Sequence, residues 1–126
     1  MSFKTISVIG LGYIGLPTAA MFASHNKKVI GVDVNQRVVE IINRGEIHIV
    51  EPELNKLVKK AVNDSNLTAK MMPEVSDVFT IAVPTPFVKN NDTGNPEPDL
   101  SFIKAACNSI SEVLKEGDLV ILESTS

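Results

Sequence analysis

The chain of 126 residues contains no tryptophan, one tyrosine and one cysteine. The solitary Cys107 excludes an internal disulfide and agrees with a reducing compartment. Positive charge is not in excess: 12 Lys and Arg stand against 15 Asp and Glu, for a formal net charge of −3. That balance offers no attraction to nucleic acid or to an anionic membrane, and neither is expected as a partner. No apolar run is long enough to span a bilayer. Met1-Ser2-Phe3-Lys4 leads straight into a strand-like segment, without a signal-peptide hydrophobic region or cleavage site. A cytoplasmic location is therefore expected. The two histidines, His25 and His48, lack metal-ligand spacing to another His, Cys or carboxylate, so no metal site is expected. Internal repeats and low-complexity tracts are absent. With 44% apolar and 21% charged residues, the length suits one globular domain and is short for two.

What is present begins with Gly10-Leu11-Gly12-Tyr13-Ile14-Gly15, directly after the apolar run Thr5–Ile9. A second apolar run, Val29-Ile30-Gly31-Val32, closes on Asp33. Three glycines at this spacing between strand and helix, with an acid about 20 residues on, form the dinucleotide-binding fingerprint. Gly10 allows the tight turn, Gly12 lets a pyrophosphate approach the backbone, and Gly15 lets helix and strand pack closely. Free N–H groups at the helix start and the positive end of its dipole favour phosphate. Backbone N–H groups of Tyr13 and Ile14 matter here more than their side chains. Asp33 is expected to accept hydrogen bonds from the adenosine ribose. A glycine-rich turn of some other α/β protein is the competing explanation; the flanking strand, helix and acid disfavour it.

The remaining pattern alternates strands and helices. A first helix is predicted from near Tyr13 or Ile14, with Pro17 tolerated in its first turn; Asn26-Lys27 breaks it. Lys28–Asp33 is a strand, Asn35 caps a helix to Asn43, and Gly45 stops it. A further helix starts at Pro52, with Leu54, Leu57, Val58, Ala61 and Val62 at helical spacing. Leu67–Met71 and Asp77–Val83 read as strands, and Pro84–Pro98 as a long loop. A helix over Asp99–Lys115 should bury Phe102, Ile103, Ala106, Ile110, Val113 and Leu114, and Leu119–Glu123 is a fifth strand. This order predicts an α/β fold: a doubly wound, Rossmann-like parallel sheet of at least five strands, with strand order 3-2-1-4-5 and helices on both faces. Ligands bind beyond the carboxyl ends of such strands. The chain stops at that edge, so it is expected to be a cofactor domain, residues 1–126, without its substrate domain.

Several segments together resemble the UDP-glucose/GDP-mannose dehydrogenase family. They are Val8–Pro17, Gly31-Val32-Asp33, Asn43-Arg44-Gly45, Glu51-Pro52-Glu53-Leu54, Ala82-Val83-Pro84-Thr85-Pro86, Asp99-Leu100-Ser101 and Glu123-Ser124-Thr125. Gly45–Pro52 and Val83–Phe87 look most like the members that oxidise UDP-N-acetyl-D-mannosamine. The resemblance implies oxidation of a nucleotide-sugar 6-hydroxyl to a carboxylate, here giving UDP-N-acetyl-D-mannosaminuronate, a precursor of bacterial surface polysaccharide. Two hydrides pass to two NAD, and a cysteine holds the aldehyde as a thiohemiacetal. That cysteine lies in a Gly-Gly-x-Cys motif absent from this chain, so the chain alone is expected to be inactive. Cys107 is no stand-in and is expected to be a small buried or half-buried side chain.

By the same resemblance Thr85 meets the bound cofactor, and Thr125 helps hold a catalytic water. Thr85 could instead belong to a rigid turn. Glu123 reads equally as a site residue or as a strand-end charge. Arg37 is expected on a solvated helix face, and Glu51 has no assigned role beyond favouring a helix start. A homo-oligomer is expected only for the full-length protein. A non-redox nucleotide-binding or regulatory module, or a related UDP-glucose 6-dehydrogenase, is the alternative.

Overall fold

The computed structural model describes residues 3–123. The elements run β1 (Thr5–Ile9), α1 (Gly15–Ser24), β2 (Lys28–Val32), α2 (Gln36–Asn43), α3 (Leu54–Asn63), β3 (Leu67–Lys70), β4 (Val78–Ile81), β5 (Phe87–Lys89), β6 (Pro96–Pro98), α4 (Ser101–Ser111) and β7 (Leu119–Leu122). Five strands make one sheet in the order β3-β2-β1-β4-β7, all pairs parallel. The expected order 3-2-1-4-5 is therefore realised, with β7 as the fifth strand. Ile9 pairs with Val32 on one side and Ile81 on the other, and Ile81 pairs with Leu122. This register aligns the carboxyl ends of β2, β1, β4 and β7 along one edge.

Alternation along the strands splits the core in two. On one face Ile6, Val8 and Val29 pack with Leu16, Ala19, Ala20 and Ala23 of α1, Ile42 of α2, and Leu54, Val58 and Ala61 of α3. On the other, Ile9, Ile30, Val32, Phe79 and Ile81 meet Ala106 and Ile110 of α4. The small residues of α1 are what let it lie close to the strands. Asn35 caps α2 as expected, its Oδ1 accepting from the N–H groups of Arg37 and Val38. Gly45 takes a left-handed φ of +79° just past the end of α2.

At the amino edge of the sheet, Asp77 accepts from the backbone N–H groups of Lys4 and Thr5 at 2.9 and 3.0 Å. These bonds hold its carboxyl below its ordinary pKa, that of Thr5 most strongly.

The structure departs from the sequence expectation at several points. Pro84–Pro98 is not all loop: β5 and β6 form an antiparallel hairpin, with Phe87 opposite Pro98. Its strands are three residues long, exposed and proline-flanked, so they carry no burial pattern to read. Asn90 Oδ1 holds its turn by accepting from Asp92 and Thr93 N–H.

The last helix ends at Ser111, not Lys115. Val113 N–H bonds Ile110 in a tightened turn, and Lys115 N–H is taken by the Asp118 carboxylate at 2.9 Å. Only Ala106 and Ile110 of that helix are fully buried; Phe102 and Leu114 are exposed, because one narrow stripe of α4 faces β4. Cys107 is exposed rather than buried, since it lies a helical step of about 100° around from Ala106. In α3, Leu54, Val58 and Ala61 are buried, but Leu57 is exposed.

Candidate functional site

The β1–α1 turn opens onto the carboxyl edge. Gly10 has φ +96°, and a Cβ there would stand 2.8 Å from the Ala82 carbonyl oxygen. Its N–H donates to Val32 O at 2.8 Å, tying the turn to β2. A Cβ on Gly15 would fall 1.7 Å from Gly10 O, so the helix start is pressed directly on the turn. Gly12 differs: a Cβ there meets nothing within 4 Å. Packing requires Gly10 and Gly15 to be glycine, while at Gly12 the missing side chain leaves open space. The N–H groups of Gly12, Tyr13 and Ile14 donate to no protein acceptor among the described residues. Three unpaired donors at a helix start, beside open space, suit an anion.

Asp33 stands half-buried at the end of β2. Its Oδ2 accepts from Leu11 N–H at 3.0 Å and its Oδ1 from Asn35 N–H at 2.9 Å. The carboxylate therefore clamps the glycine turn to the start of α2. A carboxylate has about four acceptor sites, so capacity for a ribose diol is left over. The fingerprint alone does not signal this clamp. Nor does it signal Leu11, which is buried and wedges against Gly31, where a Cβ would sit 2.9 Å from Leu11 Cδ2. A glycine inside an otherwise β-branched strand was the available signal, since it often marks a close approach.

These elements enclose a cleft of about 680 Å³. The glycine turn and Asp33 bound it on one side, with Val34 and Met71 beside them; Ala82, Val83 and Pro84 follow β4; Phe102, Ala105, Ala106 and Ser109 of α4 form the far wall. The size falls within the usual range for small-molecule sites, about 300–1,000 Å³. Tyr13 and Ile14 line the cleft by the turn, with side chains exposed to 62% and 41%. Pro84 lines the cleft wall, and Thr85 follows it, half-buried. Thr125 lies outside the described residues. Arg37 is exposed on α2 and Glu51 is exposed ahead of α3. His25 is exposed at the end of α1. Buried His48 Nδ1 finds no partner among the described residues. No group of three or more His, Cys, Asp or Glu converges among the described residues, and no helix is long and apolar enough to cross a membrane.

Residues 4–126 match the UDP-glucose/GDP-mannose dehydrogenase family, NAD binding domain. The chain belongs to this family. It is 65% identical over 126 residues to the UDP-N-acetyl-D-mannosamine dehydrogenase of Yersinia pestis, covering 100% of this chain and 29% of that protein. It is 58% identical over 126 residues to the NDP-N-acetyl-D-galactosaminuronic acid dehydrogenase of Ralstonia nicotianae, again covering 100% of this chain and 29% of the relative. Among solved structures, the UDP-N-acetyl-mannosamine dehydrogenase Cap5O from Staphylococcus aureus superposes with a TM-score of 0.88 at 44% identity, covering 97% of this chain and 29% of that one. The chain thus spans less than a third of the length of these relatives.

The cofactor of this dehydrogenase domain is NAD. The residues present fit it. A Cβ at Gly12 meets nothing within 4 Å, so a pyrophosphate would have room there; the N–H groups of Gly12, Tyr13 and Ile14 would be available to it, and the Asp33 carboxylate would keep acceptor capacity for the ribose.

Proposed function

We propose that this chain is the cofactor-holding part of a nucleotide-sugar 6-dehydrogenase that oxidises UDP-N-acetyl-D-mannosamine to UDP-N-acetyl-D-mannosaminuronate. Such an oxidation to the carboxylate consumes one water and releases two hydrides and three protons, so it needs two NAD in succession. NAD, when bound, supplies the hydride acceptor. The chain's own residues do the binding work. The open Gly12 position and the N–H groups beside it receive the pyrophosphate, and Asp33 orients the adenosine ribose while bracing the turn. Thr85 contacts the cofactor from the loop after β4, and Thr125 helps hold the catalytic water. The observation that carries this reading is the contrast among the three fingerprint glycines, two confined by protein and one facing open space. Identity of 65% to a UDP-N-acetyl-D-mannosamine dehydrogenase supports the sugar assignment.

Alone, residues 1–126 form the cofactor domain and do not turn over, because the thiol that retains the aldehyde belongs to a substrate domain beyond them. A cytoplasmic location and a homo-oligomeric full-length enzyme are part of the same proposal. The test mixes the chain, NAD and either UDP-N-acetylmannosamine or UDP-glucose and follows reduced nicotinamide absorbance. Binding of NAD without turnover is expected. Sustained turnover abolished by Cys107→Ser would contradict this and make the exposed Cys107 the reacting thiol.

A further inference from the structure

The carboxyl edge of the sheet carries a second acid besides Asp33. Glu123 follows β7 and is half-buried. Its N–H donates to Ile81 O at 2.9 Å, and its Oε2 accepts from the Thr18 hydroxyl of α1 at 3.1 Å. Main chain and side chain are therefore both fixed, one by β4 and the other by the helix whose start receives the phosphates. β7 lies two strands from β1, which puts its end about 10 Å along the edge from the glycine turn.

Asp33 decides which half of the dinucleotide comes this way. It takes the adenosine ribose on the β2 side, with the pyrophosphate at the start of α1. The nicotinamide half then continues to the opposite side of β1, over β4 and β7. The residues ending these two strands, 81–86 and 122–123, include no charged side chain other than Glu123. The nicotinamide ring is also the part of the cofactor whose charge changes, being cationic in NAD+ and neutral in NADH. A fixed carboxylate on that side attracts the first and is indifferent to the second.

We propose that Glu123, held by Thr18, is a specificity-determining residue that makes this domain prefer NAD+ to NADH. This rests on the cofactor assignment above. Its use is evident in a reaction that needs two NAD+ in turn, because the spent cofactor must leave before the second arrives.

The test is calorimetric titration of the chain with NAD+, NADH and ADP-ribose at low salt, for the unaltered protein, Glu123→Gln and Glu123→Lys. Glutamine keeps an oxygen for the Thr18 hydroxyl and removes the charge. The ratio Kd(NADH)/Kd(NAD+) should fall about three- to tenfold in Glu123→Gln, for a screened charge pair across several ångströms. It should fall further in Glu123→Lys, while ADP-ribose affinity stays constant in Glu123→Gln. An unchanged ratio in Glu123→Gln, with NAD+ still bound, would overturn the proposal. So would a loss of ADP-ribose affinity matching that of NAD+, which would make Glu123 a structural tie. Failure of the unaltered chain to bind either NAD+ or ADP-ribose would overturn the cofactor assignment itself.

Discussion

Gly12→Ala and Gly15→Ala are the same chemical change three residues apart, and they should act on different properties. At Gly15 the new Cβ would lie 1.7 Å from Gly10 O, with Ala82 Cβ also at 3.2 Å. The obstacle is backbone, so either the β1–α1 turn or the start of α1 must move. Overpacking in a close-packed core costs about 1–3 kcal/mol. Here the neighbour cannot rotate away, so a loss at or above the upper end, about 3 kcal/mol, is expected. At Gly12 a Cβ meets nothing within 4 Å, and a surface change of that kind stays within about 0.5 kcal/mol. The added methyl would instead stand where the pyrophosphate must sit. NAD affinity should drop at least tenfold in Gly12→Ala and be abolished in Gly12→Val. Urea unfolding and calorimetric NAD titration of the variants separate the two effects. Gly15→Ala with wild-type stability would refute the close-packing account. Gly12→Val that binds NAD normally would show that the glycine turn is not the cofactor site.

Asp33→Asn should weaken NAD binding by about 1–3 kcal/mol, the range for a lost charged hydrogen bond; the unaltered chain should bind NADP less tightly than NAD, because a 2′-phosphate would meet the carboxylate, and both are measured by competition titration. Gly31→Val should destabilise the fold by about 1–3 kcal/mol by displacing Leu11, which denaturant unfolding would detect. Acid should destabilise the chain. The carboxyls of Asp77, Asp99 and Asp118 are lowered from an ordinary value of 3.8, by Thr5 and Lys4, by Ser101, and by Lys115 respectively. Their stabilisation is complete well above the unfolded value and is lost as pH falls through the lower folded values. Tm should therefore decline below about pH 5, and Asp77→Asn should flatten that decline.

Much of this was legible in the sequence where burial imposes a period. The continuous apolar runs of β1 and β2, buried on both faces of the sheet, the small face of α1 and the Asn35 cap all follow from residue type and spacing. The fingerprint glycines were legible because backbone geometry demands glycine there. What escaped depends on contacts across the sheet. Leu11 occupies a variable position of the motif, and its burial is set by Gly31 on the neighbouring strand. The second task of Asp33, holding Leu11 N–H, follows from Ile9 pairing with Val32. The β5–β6 hairpin has no buried face, so no hydrophobic pattern marks it. The length of α4 was overestimated because Val113 and Leu114 continue its apolar spacing. The Asp118 carboxylate instead takes Lys115 N–H and the chain turns.

The central claim is that the cleft bounded by Gly12 and Asp33 binds NAD. Calorimetric titration of the folded chain with NAD, repeated on Gly12→Val, tests it most directly. Saturable one-to-one binding that is lost in Gly12→Val, with an unchanged unfolding midpoint, is the expected result. A folded chain that shows no saturable NAD binding, or a Gly12→Val variant that binds as well as the unaltered protein, would contradict it.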